Sequence, residues 1–426
     1  MKKLLFISAL ITLQLSAGNI NKYNEYHQLA IQAYYAEDST GWLKYNQLAL
    51  KFLPTSVTNL YYLADAFAQH GQPDSVIKYL QEVVEYGYGW GALDDDSFDC
   101  IRNHHDYQTL TDRINILSKP VNTSETAWTI DEKDLIPEGI CYDPVDDVFY
   151  LSSLYKCKIL EIKRDGSYTD FTSEKQDGLR SVVGMKVDAK RRILWVLSEV
   201  SSMHYKTPQE SEMGWSGVFK YDLESGDLLK KYTLHEDNRP HLFNDLVITS
   251  AGDIYFTDSK SQQIFTIDHN NDTLEVFLEN PCFGFLNGIA LSKNEKYLYI
   301  ADSGPGIFRL NLSNKSIHYL ETPENVTSTG IDGLYFYENS LIGVQNGLGP
   351  ATRIVKFDLN SDGTKVINQE ILEMKNPHFN IPTTGIIVDD RFYYIANSQL
   401  RSFNRDNSIF SSDQLQEVYI LKTGLK

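Results

Sequence analysis

FNDLVITSAGDIYFTDS, residues 243–259, contains two short apolar strands joined by a turn. Leu246, Val247 and Ile248 run one way, Ser250-Ala251-Gly252-Asp253 reverses the chain, and Ile254, Tyr255 and Phe256 run back. Asn244 and Asp245 stand at the entrance, although neither is a good strand former. The unit recurs at Gly139-Ile140, Gly184-Met185, Asp245-Leu246, Gly288-Ile289, Gly333-Leu334 and Gly385-Ile386. A second strand follows each: VFYLS, ILWVLS, DIYFTD, YLYIAD, SLIGVQ and FYYIAN. Several units continue into a third, such as GVFKYDLESG and GIFRLNL. No helical period separates these strands, which argues against an α/β fold. Repeats of this length and strand number predict the blades of a six-bladed β-propeller over residues 129–426.

The chain before that region has another texture. NLYYLADAFAQHGQPDSVIKYLQEVVEYG, residues 59–87, places Leu60, Leu63, Ala64, Phe67, Ile77, Leu80, Val83 and Val84 at helical spacing. Gly71-Gln72-Pro73-Asp74 breaks it in two, with Asp74 or Ser75 expected as the cap of the second helix. The pattern resembles a tetratricopeptide repeat, and residues 30–54 read as a weaker copy. Residues 23–117 are therefore expected to form a small α-helical repeat domain, either an interaction module for a protein partner or a cap on the propeller. SKPVNTSETAW, residues 118–128, reads as the linker.

Residues 1–17 read as a signal peptide, with Lys2 and Lys3, an apolar stretch from Leu4 to Leu15, and small residues at Ser16 and Ala17. This predicts export, to a periplasm or outside the cell, with no membrane span once the leader is removed. The formal charge of −18 argues against nucleic acid as a partner, because phosphate backbones need basic surfaces. Cys100, Cys141, Cys157 and Cys282 are too few and scattered for a disulfide scaffold and form no CxxC pair. The sequence has no GxSxG elbow, no HExxH and no phosphate-binding GxxxxGK[ST] loop.

In a propeller, the residues leading into the innermost strands crowd one mouth of the central channel. Here they are Glu138, Val183, Asn244, Asn287, Asp332 and Thr384. Glu138, Asn244, Asn287 and Asp332 bring two carboxylates and two amides, a donor set that suits a hard cation such as Ca2+. Other divalent ions, Mn2+, Mg2+ or Zn2+, are the alternatives, and the absence of His and Cys from the set counts against zinc. His241 and His378 also precede inner strands and are candidates for a proton shuttle or substrate contact.

PEGICYDPVDDVFYLSS, FNDLVITSAGDIYFTDS, LNGIALSKNEKYLYIADSGPGIFRL and GIDGLYFYENSLIGVQNG resemble successive blades of the regucalcin/gluconolactonase family, relatives of diisopropylfluorophosphatase and the paraoxonases. The resemblance covers roughly residues 130–405. It implies a divalent ion held by Glu138, Asn244, Asn287 and Asp332, with Asp332 as general base or nucleophile in hydrolysis of a lactone, ester or phosphoester. Sugar-lactone members often carry an Arg two residues before the third-blade Asn, where this chain has Leu242. ILWVLSE and the segment after it also resemble royal-jelly/yellow propellers. That resemblance implies the alternative, a binding propeller in which the metal is structural.

Overall fold

A computed structural model describes residues 17–200, 210–234, 239–347 and 351–426. Apart from Ala17, the expected signal peptide lies outside the described residues. Five helices come first: α1 (Ala17–Tyr35), α2 (Ser39–Phe52), α3 (Val57–Gln69), α4 (Pro73–Glu85) and α5 (Tyr107–Leu117). Asp38 caps α2 by accepting from the Gly41 amide at 2.9 Å, and Ser56 caps α3 through the Asn59 amide. The start of α4 differs from expectation. It begins at Pro73, ahead of Asp74 and Ser75, because the fixed φ of proline suits the first helical position and no amide is lost there. All eight apolar residues singled out between Leu60 and Val84 are buried.

Six antiparallel sheets follow, spanning residues 140–172, 181–233, 243–279, 286–319, 331–374 and 385–424. The innermost strand of each touches that of the next, and the sixth returns to the first, so the ring is closed. The last sheet takes its outer strand, Glu125–Ile130, from the beginning of the propeller, where it pairs with Val418–Gly424. Val121–Asn122 adds to the outer edge of the fifth sheet. The segment read as a linker thus holds paired backbone, which latches the two ends of the ring.

Six of the hydrophobic clusters each fill the wedge between neighbouring blades. Phe149, Leu151 and Ile395 pack between the sixth and first. Tyr150, Met185 and Val196 lie between the first and second, and Leu197, Phe243 and Phe256 between the second and third. Ile264, Leu286 and Ile300 join the third to the fourth. Ala301, Leu334 and Phe357 join the fourth to the fifth, and Ile342, Phe392 and Tyr394 the fifth to the sixth. Blade faces therefore bury one another.

The helical region is docked. Ile20, Tyr23, Ala49 and Leu53 enter the same cluster as Phe283, Leu286 and Phe308. Asn24 donates to the Cys282 carbonyl at 2.8 Å. Arg353, fully buried, donates to the Tyr86 carbonyl and to Gln345 Oε1 (2.7 Å), with its guanidinium 4.1 Å from the centre of the Tyr88 ring. Removing one partner of such a buried charged network leaves the others unsatisfied. Arg353→Ala is therefore expected to destabilise by about 3 kcal/mol, read as a fall in the midpoint of thermal unfolding. An unchanged midpoint would show that Arg353 does not fasten the two parts together. All four cysteines are free thiols, and only Cys100 is exposed.

Candidate active site

The pairing of inner with second strands slips at one place in four blades. The slips fall between Val182 and Met185, Phe243 and Leu246, Leu286 and Ile289, and Ile331 and Leu334. Each bulge therefore contains the pair Val183-Gly184, Asn244-Asp245, Asn287-Gly288 or Asp332-Gly333. A bulge re-aims side chains that a regular strand would send to alternate faces. In the other two blades the strand begins after or within the corresponding pair, at Ile140 after Glu138-Gly139 and at Gly385 of Thr384-Gly385. Asn244, Asn287 and Asp332 thus lie inside their strands rather than ahead of them, because Phe243, Leu286 and Ile331 already pair with the ends of the second strands.

Glycine lets these positions approach. A Cβ on Gly139 would lie 2.2 Å from the Val183 carbonyl, on Gly184 2.4 Å from the Asn244 carbonyl, and on Gly288 2.4 Å from both Asp332 O and Leu334 N. Gly288→Ala should cost about 1–3 kcal/mol, since the obstacle is backbone, whereas Gly424→Ala meets nothing within 4 Å and should be silent. Thermal melts of the two variants test this.

The mouth positions are bonded to one another around the ring. The Thr384 hydroxyl donates to the Glu138 carbonyl, and the Gly333 amide to the Thr383 carbonyl at 3.2 Å. Thr257 Oγ1 donates to the Asn287 carbonyl at 2.7 Å. Asn346 Nδ2 donates to Asp332 Oδ2 at 2.5 Å and to the Pro382 carbonyl at 2.7 Å, and the Asn287 side chain also bonds Asp332. Asn244 Nδ2 donates to Ser259 Oγ at 2.9 Å, which leaves its amide oxygen as the atom available to a ligand. Glu138, Asn244 and Asp332 are buried and Asn287 half-buried. Two oxygens at this mouth, Glu138 Oε2 and Asn287 Oδ1, are buried without a hydrogen-bond partner among the described residues.

Electrostatics sharpen the picture. Burial, then the charges of Asp332 and Asp245, push the Glu138 carboxyl well above its ordinary range. Burial also pushes Asp332 up; the Asn346 and Asn287 amides oppose this, and Asp245 adds to it. Acids so crowded resist being anions together unless a cation joins them. The donor chemistry and the two orphaned oxygens therefore fit a hard divalent ion, with Glu138, Asn244, Asn287 and Asp332 as the residues that could hold it.

Several members of the site were not singled out from the sequence. Asp245 Oδ1 accepts from Lys186 Nζ at 3.2 Å, and Lys186 lies 5.8 Å from the Tyr335 ring centre. The Tyr335 hydroxyl accepts from the Gly385 amide at 2.7 Å. The polar ends of the second strands form a supporting layer. Asp258 accepts from the Leu242, Lys260 and Ser261 amides, and Asp302 from those of Gly284, Phe285 and Gly304. Gln345 and Asn397 tie down the corresponding loops of the last two blades. The recurrence of TDS, ADS, VQN and ANS was the available signal.

Each of the two histidines has a partner close by. His241 Nδ1 lies 2.5 Å from Asp258 Oδ2 within that supporting layer, and its ring packs on Phe243 and Phe265. Despite burial, His241 and the loop amides hold the Asp258 carboxyl below its usual range. The His378 ring lies on Tyr419, with centroids 4.1 Å apart. Among the described residues, two further clusters could gather ligand atoms, His104-His105-Asp106 and Asp253-Asp268-His269, and both are partly exposed.

Fold and site together define a six-bladed propeller whose mouth presents carboxylate and amide oxygens from four blades. Residues 136–335 match the family described as the SMP-30/Gluconolactonase/LRE-like region. Among curated proteins, the adipocyte plasma membrane-associated protein Hemomucin of Drosophila melanogaster is 31% identical over a stretch covering 16% of this chain and only 14% of that protein. Among solved structures, a gluconolactonase from Xanthomonas campestris aligns over 72% of this chain and 92% of its own, at 14% identity and a TM-score of 0.48. A luciferin-regenerating enzyme aligns over 69% and 92%, at 16% identity and 0.48.

Proposed function

We propose that the protein is a metal-dependent hydrolase of a small lactone, ester or phosphoester, using a divalent cation, calcium by preference, at the propeller mouth. The observation that carries this reading is the pair of buried, unpartnered oxygens of Glu138 and Asn287 beside two crowded carboxylates. The match to the SMP-30/Gluconolactonase/LRE-like region supports the lactonase-type class. When bound, the cation supplies Lewis-acid polarisation of the substrate's acyl or phosphoryl oxygen.

The chain's own residues do the rest. Asn346, which donates to Oδ2, and the Asn287 side chain orient the Asp332 carboxylate, which serves as the general base that takes the proton from the attacking water. Asn244 and Asn287 contribute neutral oxygens, adding ligands without adding repulsion. Lys186 balances Asp245, which keeps that third carboxylate from competing for the same charge. His241, bonded to Asp258, orients the third-blade loop. Export to a periplasm or the exterior belongs to the same reading, as does a protein partner for the exposed helical face.

A panel of lactones, esters and phosphotriesters assayed with calcium and with manganese tests it. Turnover that disappears with chelator and returns with metal is the expected result. A panel without metal-dependent turnover would leave the ligand-binding propeller as the function.

A further inference from the structure

The helical region meets the propeller across a cavity. The cavity is about 240 Å³, with Val57, Tyr61, Tyr62 and Tyr88 on the helical side and Gly347 and Arg401 on the other. One chain segment links the cavity wall to the proposed site. Gly347 follows Asn346, whose amide is bonded to Asp332, and both of their backbone amides donate to the Gly330 carbonyl. The walls offer ring faces more than polar atoms. The Tyr61 hydroxyl is taken up by Asp95 at 2.8 Å, and the Tyr88 ring lies against the Arg353 guanidinium. A polyhydroxylated ligand would need convergent donors and acceptors here, whereas among the described residues Arg401 is the one charged side chain lining the cavity.

At about 240 Å³ the space is smaller than the ~300–1,000 Å³ of a whole-ligand pocket. It suits one substituent of a ligand whose reacting end lies elsewhere. We infer that the helical region builds an apolar subsite for the proposed hydrolase, and that the substrate is a lactone or ester bearing an alkyl or aryl group seated among Val57, Tyr61 and Tyr62. This rests on the hydrolase reading for the reacting end and goes beyond it in naming the substrate's other end. It also gives the helices a role in recognition of the small molecule. Leu242, in place of a cationic side chain before Asn244, is consistent with a less polar ligand.

The test is direct binding, measured by calorimetry in calcium buffer, with γ-butyrolactone and with γ-lactones carrying three- and six-carbon chains. Each methylene buried should tighten binding about fourfold, with a heat-capacity change that grows more negative along the series. Thr58, half-buried on the cavity wall, is the position to fill. Thr58→Leu should reduce the preference for the six-carbon lactone over butyrolactone several-fold, and Thr58→Trp should erase it. The smaller substitution keeps the test informative if the larger one fails to fold. Equal affinity along the series, or a preference that neither variant alters, would overturn the inference. Chain-length preference without turnover of any lactone, ester or phosphotriester would defeat the hydrolase reading alone and leave the subsite standing.

Discussion

Asp332→Asn should lower kcat for any lactone the protein hydrolyses by about 10³-fold or more, the scale of losing a positioned base. The fold should survive. Asp332 sits at a bulge, where its side chain faces the mouth rather than a wedge between blades, and Asn346 can donate equally well to the new amide oxygen. The substitution also removes one of the buried carboxylates that push Glu138 upward, so the midpoint of unfolding without added metal should hold or rise. Stopped turnover with an intact circular-dichroism spectrum and an unlowered midpoint is the expected combination. Undiminished turnover would remove Asp332 from the chemistry, and a collapsed fold would show that its carboxylate is structural.

Calcium should stabilise the protein strongly. A ligand present at about a hundred times its dissociation constant adds about 2.7 kcal/mol to the folded state, which at this chain length is roughly 3 °C in the unfolding midpoint. Glu138→Gln should remove most of that shift, because it halves the charge that the two proposed carboxylate ligands bring to the ion. In the absence of metal the same variant should melt no lower than wild type, since a buried acid beside Asp332 and Asp245 is costly as an anion. Asp253→Asn, in the partly exposed Asp253-Asp268-His269 cluster, is the control and should leave the calcium shift intact. If calcium leaves the wild-type midpoint unmoved, the mouth is not a metal site, and the orphaned oxygens of Glu138 and Asn287 need another partner.

The repeat was legible because each blade must contribute one apolar strand pair, and periodic patterning survives in the sequence wherever both faces of a sheet are buried. Asn244, Asn287, Asp332 and Glu138 stood out for a related reason: polar residues that recur where strand formers are expected mark a shared position. Asp245 stood out beside Asn244 as a poor strand former, but its role did not, and Lys186 read only as a strand residue; the ion pair between them joins different blades and has no local pattern. The second-strand endings were legible as strands but not as the bonded layer that holds the mouth loops. Alternating apolar residues report burial, whereas the acceptor role of Asp258 or Asp302 depends on which loop amides fold over it.

What the sequence by itself determined is therefore the architecture and the chemical type of the mouth: short repeated strands after helices, with oxygen-bearing residues at recurring positions. Tertiary structure decided the bulges that aim those residues, the latch of Glu125–Ile130 on the last blade, and the docking of the helices through Tyr23, Asn24 and Arg353. The physical reason is range. Periodicity and propensity act over a few residues, while the ring closure, the buried guanidinium and the cavity beside Tyr61 arise from contacts between segments hundreds of residues apart.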